Sequence, residues 1–309
     1  MHRKIRKLFF GDENIREYST ISTNAMQYER VEIRSDKITI DVTQQHYLLC
    51  LEPLVFGVWF KKGVTVNVNN KIELFFIDKV SGKYLARLSL AYIDTVINDH
   101  GALFLLKVEK SKTYHLNFFA TYLLYCKFYK KNQLSFQQVK GFASAYSQPR
   151  KVSIISFKQD DYYNIFPMDL LGDITTSDLT NYYAFGLRHS NNALSKIIET
   201  GRLVVSEVSY KQKKQIYALG SNHQKLPPAV ELLPFNVCLS KNFGFYIPEW
   251  VDSYKEVRIT KVINLGSHML LWGLVEDKQV LNPSAGNLFH IHYLLFLYYK
   301  RKGYIYSLV

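Results

Sequence analysis

The fold is decided by residues 182–208, YYAFGLRHSNNALSKIIETGRLVVSEV. Apolar and aromatic residues predict a strand over 182–187, and the polar residues that follow predict a corner. Leu194, Ile197 and Ile198 then recur at helical spacing, with Ser190 or Asn191 as the N-cap and Gly201 at the left-handed position that ends a helix. Residues 202–208 return as a strand. The stretch therefore predicts two strands joined by a corner and one short helix.

The rest of the C-terminal half continues this pattern of strands and short helices. Residues 211–219 predict a second short helix that stops at Gly220. Further strands are predicted over 151–157, 258–264, 268–275 and 298–308. Many strands joined by turns, with short helices only, are typical of a small barrel.

The N-terminal half also predicts a β-rich unit. Alternating apolar and polar residues predict strands over 31–33, 37–42, 64–68, 72–77, 84–92 and 102–108. Residues 116–129 are continuously apolar and aromatic, and they fit either a buried helix or a pair of strands. The small, proline-containing segment 141–150 is the candidate boundary between a domain of unknown role, 1–145, and a second domain, 146–309. The sequence shows no convincing internal repeat. The N-terminal half could be an extra β-domain that covers a site, a unit that contacts a partner, or a barrel repeated in degenerate form.

Composition narrows the class of protein. The 309 residues fit two domains, and 48% hydrophobic residues with 15% aromatics predict a mainly β globular chain. The formal net charge of +13 comes from scattered lysines, which favours a solvated basic surface over nucleic-acid binding. Three distant cysteines predict no disulfide and no zinc site, and hence a reducing, cytoplasmic setting. The longest apolar stretch, 47–60, is too short to span a bilayer.

The corner at Arg188, His189, Ser190 and Asn191 is the first candidate site. Backbone N–H groups at a helix start attract anions, and Arg188 and Ser190 could add hydrogen bonds to a phosphate. The alternative is an ordinary capped helix with exposed polar residues.

The second candidate is the segment Asn164-Ile165-Phe166-Pro167-Met168-Asp169. Its apolar residues could form the wall for a flat ring, and Asn164 offers both a donor and an acceptor. The alternative is a strand that ends in a proline turn.

Histidines supply the remaining candidates. His268 begins a predicted strand and could contact a ligand or relay a proton, or simply be satisfied by the backbone. His290 and His292 would face one side of a strand, as two metal ligands must, but their aromatic and leucine neighbours favour packing over metal binding. The sequence has no P-loop, no nucleophile elbow of G-x-S-x-G type and no Rossmann G-x-G-x-x-G.

In combination and in order, these segments resemble the flavin-reductase-like family of FMN-binding split β-barrels. The blocks that carry the resemblance are 146–157, 164–170, 187–205, 266–275 and 297–304. The sequence departs from the family pattern at Ser206, where an asparagine is usual, at Ser267, where an aspartate is common, and after Ser190, where the usual threonine is missing.

The resemblance implies a flavoprotein with FMN, or FAD, as cofactor and NADH or NADPH as hydride donor. It places the phosphate at residues 188–191, the ring edge at 164–169 and His268 near the ligand, in a homodimer with the flavin near the subunit interface. It names no catalytic residue and no metal. Two alternatives remain open: a flavin-binding module that senses without turnover, and a haem-binding split barrel with His268, His290 or His292 as axial ligand.

Overall fold

The computed structural model describes residues 16–23, 28–36, 38–64, 66–132, 134–282 and 286–309. In this part of the chain the fold is mainly β with short helices, which confirms the predicted fold class. The basic start of the chain, residues 1–7, lies outside the described residues.

Residues 29–113 form a seven-stranded antiparallel sheet, here called the N-terminal sheet. Its strand order is β3-β2-β6-β7-β8-β5-β4. The strands are β2 (Glu29–Ser35), β3 (Ile38–Asp41), β4 (His46–Leu51), β5 (Leu54–Lys61), β6 (Ile72–Asp78), β7 (Tyr84–Asn98) and β8 (Gly101–Thr113).

Residues 153–280 form a second seven-stranded antiparallel sheet, here called the C-terminal sheet. Its strand order is β11-β10-β14-β17-β18-β13-β12. The strands are β10 (Ser153–Gln159), β11 (Tyr162–Met168), β12 (Leu171–Thr175), β13 (Asn181–Arg188), β14 (Arg202–Glu207), β17 (Ser253–Asn264) and β18 (His268–Val280).

The two large sheets have the same topology. If β2 to β8 are matched in chain order with β10 to β14, β17 and β18, the two strand orders coincide at every place. They differ in their connections. Five residues, 79–83, join β6 to β7, whereas residues 208–252 join β14 to β17 and contain two short strands, β15 (Val237–Leu239) and β16 (Tyr246–Pro248). The N-terminal half therefore repeats the sheet of the C-terminal half without its long insertion.

A smaller sheet brings together distant parts of the chain. Its order is β20-β1-β19-β9, formed by β1 (Tyr18–Thr23), β9 (Arg150–Lys151), β19 (Asn287–His292) and β20 (Ser307–Leu308). The described helices are α1 (Phe118–Leu124), α2 (Phe136–Ala145), α3 (Leu194–Thr200), α4 (Lys213–Ala218) and α5 (Tyr293–Arg301). A π-helical turn, Tyr125–Tyr129, extends α1, and 3-10 turns cover Lys130–Asn132, Tyr210–Gln212, Leu219–His223 and Val230–Leu232. Within the described residues, no helix combines the length and apolarity needed to cross a membrane.

Residues 182–208 fold as a strand, a corner, a short helix and a strand, as predicted. The N-cap of the helix differs from the prediction. Strand β13 leads into α3, and Gly201 follows it at φ 65°. The N-cap backbone position is Ala193, while the Asn191 side chain accepts the Ala193 N–H at 2.8 Å. The undecided segment 116–129 is helical, as α1 and the π-helical turn.

Two predicted strands are wrong. Residues 298–301 end α5, residues 302–306 are turn and loop, and within 298–308 only Ser307–Leu308 form a strand, β20. Six of the nine residues of α5 are buried, on all sides of the helix, so the sequence carries no helical period to detect. Residues 64 and 66–68 are loop and turn, because this alternating segment has no neighbouring strand to pair with.

The two large sheets pack tightly against each other through β4. A Cβ atom on Gly186 of β13 would lie 1.8 Å from the Leu49 carbonyl oxygen, and one on Gly172 of β12 would lie 2.4 Å from the Tyr47 ring. Beside this contact, the rings of Trp59 and Trp272 stack with centroids 5.9 Å apart. Glycines on the C-terminal sheet thus permit the close approach of a strand from the N-terminal sheet.

Candidate functional site

A cleft of about 580 Å³ opens at the end of β13, against the N-terminal sheet. This volume lies in the range of small-molecule and cofactor sites. Most of its lining comes from the C-terminal half, and Leu51 of β4 contributes from the N-terminal sheet. Pro167, Met168 and Leu170 give it an apolar wall.

The predicted corner lies in this cleft, and its most distinctive group is Arg188. Arg188 and Ser190 line the cleft, and the Arg188 side chain is exposed. Among the described residues, its guanidinium has no hydrogen-bond or ion-pair partner. Arg188 is therefore available to an anionic ligand.

The N–H groups at the start of α3 are already bonded within the protein. The N–H of Asn192 donates to the His223 carbonyl at 3.1 Å, and that of Leu194 to the Asn191 carbonyl at 3.1 Å. The Ala193 N–H donates to the Asn191 side chain. Anion binding at this corner would therefore fall to side chains and not to the helix N-terminus.

His223 holds two sides of the cleft together. Its Nε2 donates to the Pro167 carbonyl at 2.8 Å, so Nδ1 can accept from the Asn191 amide at 2.9 Å. Burial lowers the pKa of His223, and Arg188 lowers it further. The ring is therefore neutral at pH 7 and fixed in one tautomer.

His268 presents a buried polar atom to the cleft. The side chain is 1% exposed and lines the cleft, and Nε2 has no partner among the described residues. On the other side of the ring, the Ser267 hydroxyl lies 2.8 Å from Nδ1. Burial, with the charges of Arg188 and His189, lowers the pKa of His268 to about 4. A neutral ring that accepts from Ser267 at Nδ1 leaves Nε2–H as an unused donor, which is costly unless a ligand or water meets it.

A charged cluster also lines the cleft. Arg150 donates to Asp169 at 2.8 Å, and His290 Nδ1 donates to the same carboxylate oxygen at 2.8 Å. His290 Nε2 is bonded to the Tyr217 hydroxyl. Burial would raise the pKa of Asp169, but the charge of Arg150 and the hydrogen bond from His290 outweigh it and hold the pKa below its usual value. Asp169 is thus an anion neutralised by Arg150, and both His290 nitrogens are committed.

The structure brings seven of the predicted site residues into the cleft lining and leaves four outside it. Those in the lining are Pro167, Met168, Asp169, Arg188, Ser190, Asn191 and His268, and the Asn191 amide is bonded to His223. Ile165 and Phe166 are buried in the core, and His189 is exposed beside Asn264. Asn164 is fully buried and donates to the Asn222 carbonyl at 3.0 Å.

Sequence reasoning missed two parts of the cleft. The segment Gly220–Lys225 forms one wall, but it belongs to the long β14–β17 insertion and carries no recognisable motif. The sequence places Arg150 at a domain boundary. An arginine next to a strand start does not indicate its partner, and the carboxylate that pairs with it is evident only in the three-dimensional structure. His290 and His292 do face one side, since both rings contact Tyr18, but no metal-binding cluster occurs among the described residues.

Comparison with known proteins gives structural likeness only. No family model matches the chain, and no curated protein matches it. Solved structures similar to it are flavin reductase and FMN-binding split-barrel proteins, and they cover about half of the chain. An FMN-binding protein from Thermus thermophilus with bound p-hydroxybenzaldehyde is 17% identical, with a TM-score of 0.40 over 47% of this chain and 82% of its own.

Two further similar structures have comparable values. An NADH:FAD oxidoreductase from Streptomyces globisporus is 14% identical, with a TM-score of 0.43 over 49% of this chain and 88% of its own. A homologue of nitrilotriacetate monooxygenase component B from Mycobacterium thermoresistibile is 17% identical, with a TM-score of 0.40 over 46% of this chain and 76% of its own. Identities and TM-scores this low do not indicate the function of this chain.

Proposed function

We propose that the chain binds FMN in this cleft and acts as an oxidoreductase of flavin-reductase type, with NADH or NADPH as the hydride donor. The observation that carries the proposal is that one cleft with an apolar wall is lined by both Arg188 and His268, whose guanidinium and Nε2 have no partner among the described residues. An anionic, flat cofactor with polar ring atoms uses all three features. FAD is the alternative flavin.

The charges of the cleft fit a phosphate. Arg150, Arg188 and Lys225 line it together with two carboxylates, Glu17 and Asp169. Asp169 is neutralised by Arg150, so the remaining groups leave an excess of positive charge near the corner. Arg188, with Ser190 beside it, would hold the phosphate through charge-assisted hydrogen bonds.

The wall formed by Pro167, Met168 and Leu170 suits the flavin ring. Apolar walls with a few convergent polar groups are typical of cofactor sites. His268 Nε2–H would donate to an acceptor atom of the ligand. Bound flavin would supply the redox chemistry by accepting hydride from the nicotinamide, while the chain binds and orients it.

The Arg188→Ala variant tests the phosphate assignment. Loss of a charge-assisted contact should weaken FMN binding by roughly 1.5–3 kcal/mol, or about 10- to 150-fold in Kd. Fluorescence titration with FMN measures this change. Arg202→Ala is the control, because Arg202 is exposed on β14 outside the cleft. An unchanged Kd in a folded Arg188→Ala protein would reject the assignment.

Anaerobic addition of NADH or NADPH to the FMN-loaded protein tests the reaction. Bleaching of the flavin absorption bands is the expected result for a reductase. Bound flavin that is not bleached by either donor would instead favour a sensing module, in which the N-terminal half reads out the bound state. The cytoplasmic setting and the homodimer implied by the resemblance remain predictions. The packing of the two sheets favours a monomer instead, and the mass in solution decides between the two.

A further inference from the structure

The N-terminal sheet has the topology of a second copy of the C-terminal sheet. Their strand orders coincide, yet the N-terminal sheet lacks the parts that build the cleft. Between β5 and β6, the described residues 62–64 and 66–71 contain no helix, whereas residues 189–201 hold α3. Residues 79–83 stand where the C-terminal sheet has the insertion that supplies the Gly220–Lys225 wall. The N-terminal sheet therefore has the strand order of the C-terminal sheet but lacks the segments that form the walls of the cleft.

The N-terminal sheet packs on the C-terminal sheet through an apolar core. Leu49, Val55, Trp59 and Leu103 form one buried cluster with residues of the C-terminal sheet, among them Trp272. All five side chains are at most 3% exposed. This apolar core between the sheets resembles an obligate interface more than a loose domain contact.

The β4–β5 turn of the N-terminal sheet also reaches the cleft. The Glu52 carbonyl accepts the Ser267 N–H at 2.7 Å, and the Glu52 N–H donates to the Ser267 hydroxyl at 3.1 Å. That hydroxyl lies 2.8 Å from His268 Nδ1 and can donate its own proton to it; the Cys50 Sγ is farther away, 3.6 Å from both groups. With this donation the His268 proton is on Nε2, which has no partner among the described residues.

We infer that the N-terminal sheet is a built-in second subunit: it has lost its own site, it completes the single cleft of the C-terminal sheet, and through Glu52 and Ser267 it orients His268. One chain therefore carries one complete site. Ser267 is a positioning residue, since it acts on the ligand through His268. The partner that completes the site thus belongs to the same chain. The inference rests on the proposed function only in its statements about FMN.

The mass of the full chain in solution tests the built-in subunit without any ligand. Sedimentation velocity at micromolar concentration should give a monomer near 36.1 kDa. A stable dimer under these conditions would overturn the inference. Titration with FMN should then saturate at one FMN per chain. A monomer that binds no FMN would reject the proposed function but leave the built-in subunit standing.

The role of Ser267 is tested by the tautomer of His268. Long-range ¹H–¹⁵N NMR of the imidazole should show protonated Nε2 in the wild-type chain at pH 7. Ser267→Thr keeps the hydroxyl and should keep this tautomer, whereas Ser267→Ala should show a mixture of the two tautomers. A single Nε2–H tautomer in Ser267→Ala would show that the N-terminal sheet does not orient the ring through this residue.

Discussion

Glu29 is a buried carboxyl group whose ionisation opposes folding. It lies at 0% exposure on β2, and the Tyr306 hydroxyl donates to both of its oxygens at 2.9 and 2.8 Å. Burial raises its pKa from 4.5 to about 7, although these hydrogen bonds pull the pKa the other way. The folded protein thus binds this proton more tightly than the unfolded chain does. Its contribution to stability is complete below about pH 4.5 and is lost as the pH rises through about 7.

Glu29→Gln should remove this pH dependence. The amide stays neutral, so the fall in the free energy of unfolding between pH 5 and pH 8 should shrink, by at most about 3 kcal/mol. Urea unfolding of both proteins at several pH values measures the difference. Identical pH profiles for wild type and Glu29→Gln would mean that Glu29 is not the group responsible.

For Asp169 the effect of pH on stability has the opposite sign, because Arg150 stabilises the charged form of its carboxyl group. Asp169→Asn would leave the Arg150 guanidinium, whose side chain is 7% exposed, without its anion. Removing one partner of a buried pair costs about 3–5 kcal/mol, and the partly exposed Asp169 places the expectation at the lower end. The loss should be present at neutral pH and diminish as the pH falls below about 4, where the Asp169 carboxyl of the unfolded chain begins to protonate while that of the folded protein stays ionised. Lys241→Ala, which removes an exposed ion pair with Asp277, is the control and should cost less than about 1 kcal/mol.

Single residues could be predicted from the sequence where the local pattern determines their role. Arg188, Ser190 and His268 were found because they stand at a strand end or a corner. Their partners could not be predicted. Glu52 and Ser267 are 215 residues apart in the chain and meet through hydrogen bonds, and Arg150 and Asp169 form an ion pair across strands. Contacts of this kind between separate elements leave no pattern in a single sequence.

At the scale of elements, the end of α3 depends on Gly201. It has φ 65°, a conformation that costs an L-residue about 1 kcal/mol or more, and its neighbour Ile259 donates its N–H to the Gly201 carbonyl at 2.7 Å. Gly201→Ala should therefore destabilise the protein by about 1–2 kcal/mol in chemical unfolding, even though a Cβ there would meet only the Ile259 carbonyl at 3.7 Å. Gly220→Ala is the matched control, because nothing lies within 4 Å of its Cβ and its φ is not positive. Equal costs for both variants would contradict the conformational explanation.

Elements with one buried face were predicted better than elements buried on all sides. The strand-helix-strand unit at 182–208 was readable because its corner, cap and glycine are local signals. The predicted strand 298–308 begins inside α5, where the consecutive buried residues 293–297 leave no polar face to indicate a helix. Long-range contacts hold this segment instead, such as that of the Lys302 ammonium, directly after the helix, 2.8 Å from Asp78 on β6.

At the scale of the whole molecule, the repeat is in the topology and not in the sequence. The paired elements differ in residues even where they agree in length: β5 reads LVFGVWFK and its counterpart β13, also of 8 residues, reads NYYAFGLR. A sheet requires only that apolar residues fall on its inner face, so many sequences satisfy one strand order. Residues that meet between the two halves, such as Trp59 and Trp272, then determine how they associate.

The shared core predicts that the two sheets unfold as one cooperative unit. Trp59→Ala should remove the stack with Trp272 and cost about 3–5 kcal/mol, typical of a buried tryptophan. If the halves depend on each other, native-state hydrogen exchange should show this loss equally in β6 of the N-terminal sheet and in β14 of the C-terminal sheet. Leu232→Ala, at a side chain that is 73% exposed, should change neither. Faster exchange confined to β6 would show that the C-terminal sheet is stable alone, and the N-terminal sheet would then be an accessory to the cleft and not part of its fold.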